Sequence, residues 1–134
     1  MDRTWWEAHI AEVNRDFRGA RYTTARLSEQ FAVTRIEAKD FKTFGNSGAG
    51  CVAMALAGDA LRVVLLGFDA QHTGGKTHWH GDHPKGMGNA GRTKQWPAKF
   101  AELATKAGAS DIVNCSRETA LTCFRRAALS EALA

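Results

Sequence analysis

The chain has 134 residues, 44% of them hydrophobic, a size and composition that fit one globular domain with a substantial core. Its formal charge of +4 suits an anionic ligand, but the lysines and arginines are scattered, so the charge does not establish nucleic-acid binding. With no signal peptide, no apolar run of membrane-spanning length and no CxxC pair, the sequence predicts a cytoplasmic protein with no membrane partner.

The first half of the chain is predicted to be mainly helical. The first helix is amphipathic, and Trp5, Trp6, Ile10 and Val13 supply its apolar stripe. Asp2 is a candidate cap for this helix. In chain order the predicted elements are a helix over 3–16, a short helical piece over 24–30, a strand over 32–37, a turn-rich loop over 44–50 and a helix of small residues over 51–57.

The second half is predicted to alternate strands with helices. The unbroken apolar run over 62–68 is typical of a strand buried on both faces of a parallel sheet. The segment 69–95 is a long loop rich in glycine and histidine, and loops of this length are usually functional. A helix over 97–107, a strand over 111–115 and a helix over 130–133 follow. This alternation predicts an α/β fold with a small, mostly parallel sheet.

A glycine-rich loop before the helix at 51–57 is a candidate phosphate cradle. Its glycines would let the backbone approach an anion, and the helix that follows would point its amides at that anion. Ser47 could equally be an ordinary helix cap, and Gly48 a packing residue. The loop has neither a Walker sequence nor the usual dinucleotide spacing. The candidate ligand-binding residues are Asn46, Ser47, Gly48 and Gly50.

Polar residues follow both predicted parallel strands. Asp69 comes directly after the first strand, and Asn114 and Ser116 come at the end of the second. Ligands gather outside the carboxyl ends of strands in open α/β sheets, so these three residues are candidates for contacting a ligand. The alternative for Asp69 is that its carboxylate caps a turn.

The segment 78–83 contains three of the five histidines and one carboxylate. Imidazoles move protons near neutral pH and also bind metals. A metallo-β-lactamase site is disfavoured, because no histidine follows His83 and the preceding strand ends well before the cluster. No metal site is favoured, but a small zinc site remains open, with His78, His80, Asp82 and His83 as its ligands.

The order of these motifs resembles a Rossmann-like family that includes bacterial sialyltransferases and archaeal hydroxymethylpterin diphosphokinase-like proteins. The motifs are 46–50, which opens a helix, 63–69, 72–78 and 114–116. Small phage and prophage proteins are similar as well, including at 5–9 and 78–84. The resemblance implies a single Rossmann-like three-layer domain over 1–134, with a nucleotide bound over Asn46, Ser47 and Gly48. Members of the family usually carry a further N-terminal strand and a Gly-Pro-Ser loop, so the resemblance leaves three alternatives open: a truncated relative, a fragment, or a version that completes its site as a homo-oligomer.

The leading hypothesis is a nucleotide- or nucleotide-sugar-binding protein that acts as a phage-type glycosyl or group transferase. His78 or His80 would be the general base, Asp69 would orient the acceptor or a metal, and Lys76 would offset phosphate charge. The expected cofactor is a nucleotide-activated donor, and a divalent metal is possible.

Two other functions remain open. One is a non-catalytic protein that sequesters a nucleotide, and the other is a metal-dependent hydrolase or nuclease that uses the histidine cluster. A nucleic acid would enter only as an acceptor substrate. If the protein is phage-encoded, its location is the host cytoplasm.

Overall fold

The computed structural model describes residues 3–24, 26, 28–37 and 42–134. Asp2 and part of the predicted helical piece over 24–30 lie outside these residues. The chain separates into two compact units. The first consists of residues up to 40 together with 83–88, and the second consists of 41–82 together with 89–134. The single Rossmann-like domain over 1–134 stays a prediction.

The first unit is built around one amphipathic helix. Helix α1 spans Arg3–Asp16, as predicted. Trp6 is buried with Phe31 and Val33, and the other three residues of the predicted stripe pack around them, so the stripe is confirmed. The remaining elements are β1 (Tyr22–Thr23), α2 (Ser28–Phe31) and β2 (Thr34–Arg35).

The strand predicted over 32–37 is much shorter than expected. Only β2 is a strand, and it pairs in parallel with β1, which the sequence analysis missed. Because β1 is only two residues long, it pairs with only two residues of the predicted strand, Thr34 and Arg35. The backbone amides of Thr34 and Ile36, which donate to Arg21 and Thr23, complete this short ladder.

The second unit is an α/β structure with a parallel sheet, which confirms the predicted fold class at this level. In the described chain the strand order is β3-β4-β5, and both neighbouring pairs are parallel. Its elements are α3 (Ser47–Ala57), β3 (Arg62–Leu65), α4 (Trp96–Ala104), β4 (Asp111–Asn114), β5 (Arg125–Arg126) and α5 (Leu129–Leu133).

Val63 and Val64 of strand β3 are only partly buried, so the prediction of a strand buried on both faces is wrong. Leu65 is buried, whereas Arg62 is exposed and Leu66, just past the strand, is 56% exposed. In the described sheet β3 pairs only with β4. Its Arg62 lies 3.3 Å from Asp111, the first residue of β4. The central strand β4 is instead the well-buried one.

Strand β5 has no apolar pattern and was not predicted. Val113 pairs with Arg125, and Asn114 pairs with Arg126. Side-chain contacts strengthen this pairing, because Arg125 donates to Asp111 at 3.0 Å and Arg126 donates to the carbonyls of Ser116 and Arg117. The position of β5 therefore depends on arginine contacts with β4 and the loop that follows it.

Both longer helices of the second unit start with a recognisable signal. Helix α3 begins at Ser47, earlier than the predicted 51, because the Asn46 side chain accepts the Ala49 amide at 3.0 Å and caps the helix. Helix α4 has Pro97 in its first turn, as predicted. The core of the unit is apolar and contains Phe44, Ala49, Val52, Ala53, Leu65, Phe100, Leu103, Ile112, Leu121 and Phe124.

The segment between β3 and α4 is irregular, as predicted for 69–95. Only two short 3-10 turns interrupt it, Thr73–Gly75 and Thr93–Gln95. The cysteines are free thiols, and burial raises the pKa of the Cys123 thiol. No helix among the described residues is both long and apolar enough to cross a membrane.

Candidate functional site

The loops that follow β3 and β4 are joined by three short hydrogen bonds. The backbone amide of Phe68 donates to Ser116 Oγ at 2.7 Å, and Thr119 Oγ1 donates to the Phe68 carbonyl, also at 2.7 Å. The Ala120 amide donates to the Asp69 carbonyl at 2.7 Å. Because these bonds join segments far apart in sequence, the carboxyl edge of the sheet is a well-defined piece of structure.

Two predicted ligand-binding residues help to build this edge. Asn114 is fully buried, and its Oδ1 accepts the Ser116 amide at 3.0 Å while its Nδ2 donates to Thr119 Oγ1 at 3.1 Å. Ser116 is also buried, and its hydroxyl oxygen accepts a hydrogen bond from the Phe68 amide. The structure therefore brings Asn114 and Ser116 to the predicted edge, where their polar atoms hold the loops together. Their contact with a ligand stays a prediction.

The first turn of α3 packs against Phe68, in the loop that follows β3. A Cβ atom added to Gly48 would lie 3.0 Å from the ring of Phe68 and 3.2 Å from Asn46 Oδ1. The amides of Ser47 and Gly48 belong to the first turn, where a helix has no acceptors of its own to offer. The first turn of α3, the positive end of its dipole, thus lies next to Phe68 in the loop after β3.

Gly50 differs from the other residues of the predicted cradle because it is buried inside α3. Its amide donates to the Asn46 carbonyl at 2.9 Å, so this amide is already used by the helix. Asn46 uses its side chain to cap the helix. Of the four predicted cradle residues, Ser47 and Gly48 therefore have the amides best placed for an anion.

Asp69 holds the turn that begins the long loop. Its Oδ2 accepts the Thr73 hydroxyl at 2.8 Å, and Thr73 starts the first 3-10 turn. This contact matches the turn-capping alternative for Asp69, while its position after β3 matches the ligand-contact hypothesis. Lys76 ends the same turn, because its backbone amide donates a hydrogen bond to the Thr73 carbonyl at 3.2 Å. The side chain of Lys76 is exposed.

The histidine segment contains a tight turn. The Gly81 amide donates to the His78 carbonyl at 3.3 Å, and Gly81 adopts a φ of 90°, which favours glycine. The rings of His78 and His80 lie nearly parallel, 6° apart, with centroids separated by 5.1 Å. Trp79, between them in sequence, is 91% exposed.

The four predicted metal ligands are divided between the two units. His78, His80 and Asp82 belong to the second unit, and His83 belongs to the first. Asp82 is exposed. The Gly88 carbonyl lies 2.9 Å from Nδ1 of His83, within the first unit. The zinc site therefore stays a prediction.

No family model, curated protein or solved structure matches this chain. The resemblance to a Rossmann-like family thus stays a prediction.

Sequence reasoning missed two threonines at the candidate site. Thr119 is the partner of both Asn114 and Phe68, and Thr73 is the partner of Asp69. Neither residue stands in a motif, and a threonine in a polar loop carries no signal that distinguishes it from its neighbours. Only the folded arrangement of the loops reveals the role of each hydroxyl.

Proposed function

We propose that the protein binds a nucleotide or nucleotide-sugar at the carboxyl edge of β3 and β4 and transfers a group from it. One observation carries the proposal: the first turn of α3 and the loop after β4 both contact Phe68, in the loop three residues past β3. Open α/β sheets bind ligands at this edge, and helix N-termini stabilise phosphate there. The family resemblance supports the same ligand class.

The proposed roles follow from the chemistry of each side chain. The amides of Ser47 and Gly48 donate to a phosphate, and the Lys76 ammonium offsets its charge. Asp69 orients the acceptor hydroxyl, and His78 or His80 takes its proton as the acceptor oxygen bonds to the transferred group. The bond to the nucleotide breaks in the same step, and the nucleotide leaves with the bonding electrons.

The wider setting proposed for this activity is a cytoplasmic homo-oligomer. A nucleic acid enters only as an acceptor.

Nucleotide binding is tested by thermal unfolding and calorimetric titration with CMP, UDP, GDP, ATP and their sugar derivatives. We expect at least one of them to raise the melting temperature, because a ligand that binds only the folded state stabilises it. Lys76→Ala should weaken binding by about 5- to 10-fold, which is the loss of one charged contact of roughly 1 kcal/mol. The matched control is Lys106→Ala, since Lys106 follows α4 and precedes the amino end of β4.

The outcome that contradicts the proposal is a folded protein that none of these nucleotides stabilises. Equal losses of nucleotide affinity in Lys76→Ala and Lys106→Ala would contradict the proposed placement of the phosphate near Lys76. If a nucleotide binds, its fate decides between transfer and sequestration. A transferase converts the donor, and His78→Ala lowers turnover while leaving affinity nearly unchanged. Tight binding with no product would reject the transferase and leave a sequestering protein.

A further inference from the structure

We propose that the indole of Trp79 stacks on the base of the nucleotide, and that the protein therefore prefers purine nucleotides. The inference rests on the proposed function and adds the base to a site for which only phosphate and acceptor contacts are proposed. It depends on three features of the second unit: the exposure of Trp79, the turn and rings that hold this side chain, and its separation from Lys76 along the chain.

Trp79 is exposed to a degree that is unusual for tryptophan. Its relative exposure is 91%, the highest of the exposed large hydrophobic residues in the described part of the chain. Tryptophan is highly buried on average, because its indole is a large apolar surface. At this exposure both faces of the ring are largely open to solvent, so a planar ligand can cover one of them.

A tight turn places Trp79 at the tip of the loop between His78 and Gly81. The Gly81 amide donates to the His78 carbonyl at 3.3 Å, so Trp79 and His80 are the two central residues of a four-residue turn. The rings of Trp79 and His80 meet at 86°, with centroids 5.4 Å apart. This T-shaped contact covers little of the indole but restrains its orientation. A ring that is already oriented loses less conformational freedom when a ligand stacks on it.

Trp79 is close along the chain to the residue proposed to offset the phosphate charge. Lys76 and Trp79 are three positions apart, so their Cα atoms are separated by at most about 11 Å even in a fully extended chain. The flexible four-carbon stem of Lys76 extends the reach of its ammonium. One sugar joins the base of a nucleotide to its phosphate, so a ligand whose phosphate contacts Lys76 has its base within reach of the indole.

The chemistry of the indole and the charge of the chain favour a base as the stacked group. Every nucleobase presents a π-face, and stacking on an aromatic side chain requires no specific hydrogen bonds. The other ligands that tryptophan faces attract are cations, and the formal charge of +4 disfavours them. The two fused rings of a purine cover more of the indole than the single ring of a pyrimidine. Stacking on Trp79 therefore favours purine nucleotides.

Calorimetric titration with ADP, GDP, CDP and UDP tests the inference, because these probes carry the same diphosphate and differ in the base. Inorganic pyrophosphate is the base-free probe. In the parent protein we expect ADP and GDP to bind at least about 3-fold more tightly than CDP and UDP, since stacking strength sets the preference. Trp79→Ala should weaken the binding of ADP and GDP by about 10-fold or more and leave the affinity for pyrophosphate unchanged.

Two further variants make the test specific. Trp79→Phe keeps a ring that stacks, so it should retain most of the affinity that Trp79→Ala loses. Leu61→Ala is the matched control, because Leu61 is 86% exposed and precedes β3, at the opposite end of this strand from the loop. We expect Leu61→Ala to bind all four nucleotides as the parent does. Circular dichroism of each variant shows whether the fold is intact.

Tryptophan fluorescence reports the stacking itself. A base that covers the indole quenches its emission, so ADP should quench the parent protein. Trp79→Phe retains the other three of the four tryptophans, and ADP should leave its emission unchanged. Equal quenching of the two proteins would overturn the inference.

Three other results would also overturn it. One is equal affinity of the parent and Trp79→Ala for the nucleotides, and another is an equal loss in Leu61→Ala and Trp79→Ala. The third is an oligomer that Trp79→Ala dissociates in gel filtration without a change in nucleotide affinity, which would make the indole a protein contact. A parent protein that binds CDP and UDP as tightly as ADP and GDP overturns the purine preference.

Failure of the proposed function gives a different pattern. If neither the nucleotides nor pyrophosphate bind the parent protein, both the proposed function and the stacking are overturned. If Lys76→Ala binds the nucleotides as the parent does while Trp79→Ala loses affinity, the stacking holds and the proposed phosphate contact fails. If nucleotides bind and Lys76→Ala alone loses affinity, the phosphate contact holds and the stacking fails.

Discussion

Thr119 makes three hydrogen bonds at the carboxyl edge of the sheet. Its hydroxyl donates to the Phe68 carbonyl and accepts from both the Asn114 side chain and the Leu121 amide. A single side chain therefore satisfies three polar groups, one of them on the fully buried Asn114. Buried polar groups that lose their partners destabilise a fold far more than partnered groups stabilise it.

Thr119→Val tests this role, because valine keeps the shape of threonine and removes the hydroxyl. We expect the free energy of unfolding to fall by about 2–3 kcal/mol, since three polar groups lose their partner. Chemical denaturation measures the change. The matched control is Thr122→Val at an exposed position three residues away, for which a change within about 0.5 kcal/mol is expected. Similar effects in both variants would show that the Thr119 hydroxyl has no special role.

At the scale of elements, α3 contains two glycines with opposite surroundings. A Cβ at Gly48 would press on the Phe68 ring and on the capping oxygen of Asn46. A Cβ at Gly50 would make ordinary contacts with Thr43, at 3.7 Å or more. The first glycine therefore permits close packing between the helix and Phe68, whereas the second is replaceable.

Gly50→Ala should raise the free energy of unfolding by about 0.5–1 kcal/mol, because alanine loses less backbone entropy than glycine in a helix. Gly48→Ala should give a smaller gain or a loss, since the added methyl group displaces its neighbours. Thermal and chemical unfolding of the two variants measure the difference. A larger gain at position 48 than at position 50 would contradict the packing described for the first turn.

At the scale of the whole molecule, the two units have cores of different size. Among the described residues, the buried cluster of the second unit has ten members, whereas that of the first has three. The free energy of local opening increases with buried apolar contact, so regions with larger cores exchange their amides more slowly.

Hydrogen exchange followed by mass spectrometry tests this difference. We expect peptides that contain β4 to exchange at least about 10-fold more slowly than peptides from α1, after correction for intrinsic rates. The amides of the long loop over 69–95 should exchange fastest. An α1 that is protected as strongly as β4 would mean that the smaller core does not limit the stability of its unit.

Much of the fold could be predicted from local patterns. The stripe of α1 has the spacing of one helix face, and this spacing correctly predicts both the bounds of the helix and its buried side. The positions of β3 and β4 were also correct, because short apolar runs followed by polar loops are typical of parallel strands. The histidine segment was identified by its composition.

The missed features depend on partners that are distant in sequence. Strand β5 is two arginines, and only its pairing with β4 makes it a strand. In the described sheet β3 pairs with β4 alone, and its own apolar residues do not specify this pairing. Thr119 lies in a loop, and its structural role comes from the hydrogen bonds that its hydroxyl makes with Phe68 and Asn114 in the folded chain.

The difference between the features that were predicted and those that were missed has a physical cause. Helical periodicity, capping residues and the density of imidazoles are properties of neighbouring residues, so they can be read along the chain. Sheet order, burial of a given strand face and the partners of a polar side chain are set by segments that meet only on folding. The chain order thus predicted a candidate site after β3 and β4, and the folded loops determined that Asn114 and Ser116 hold the loops together at that edge.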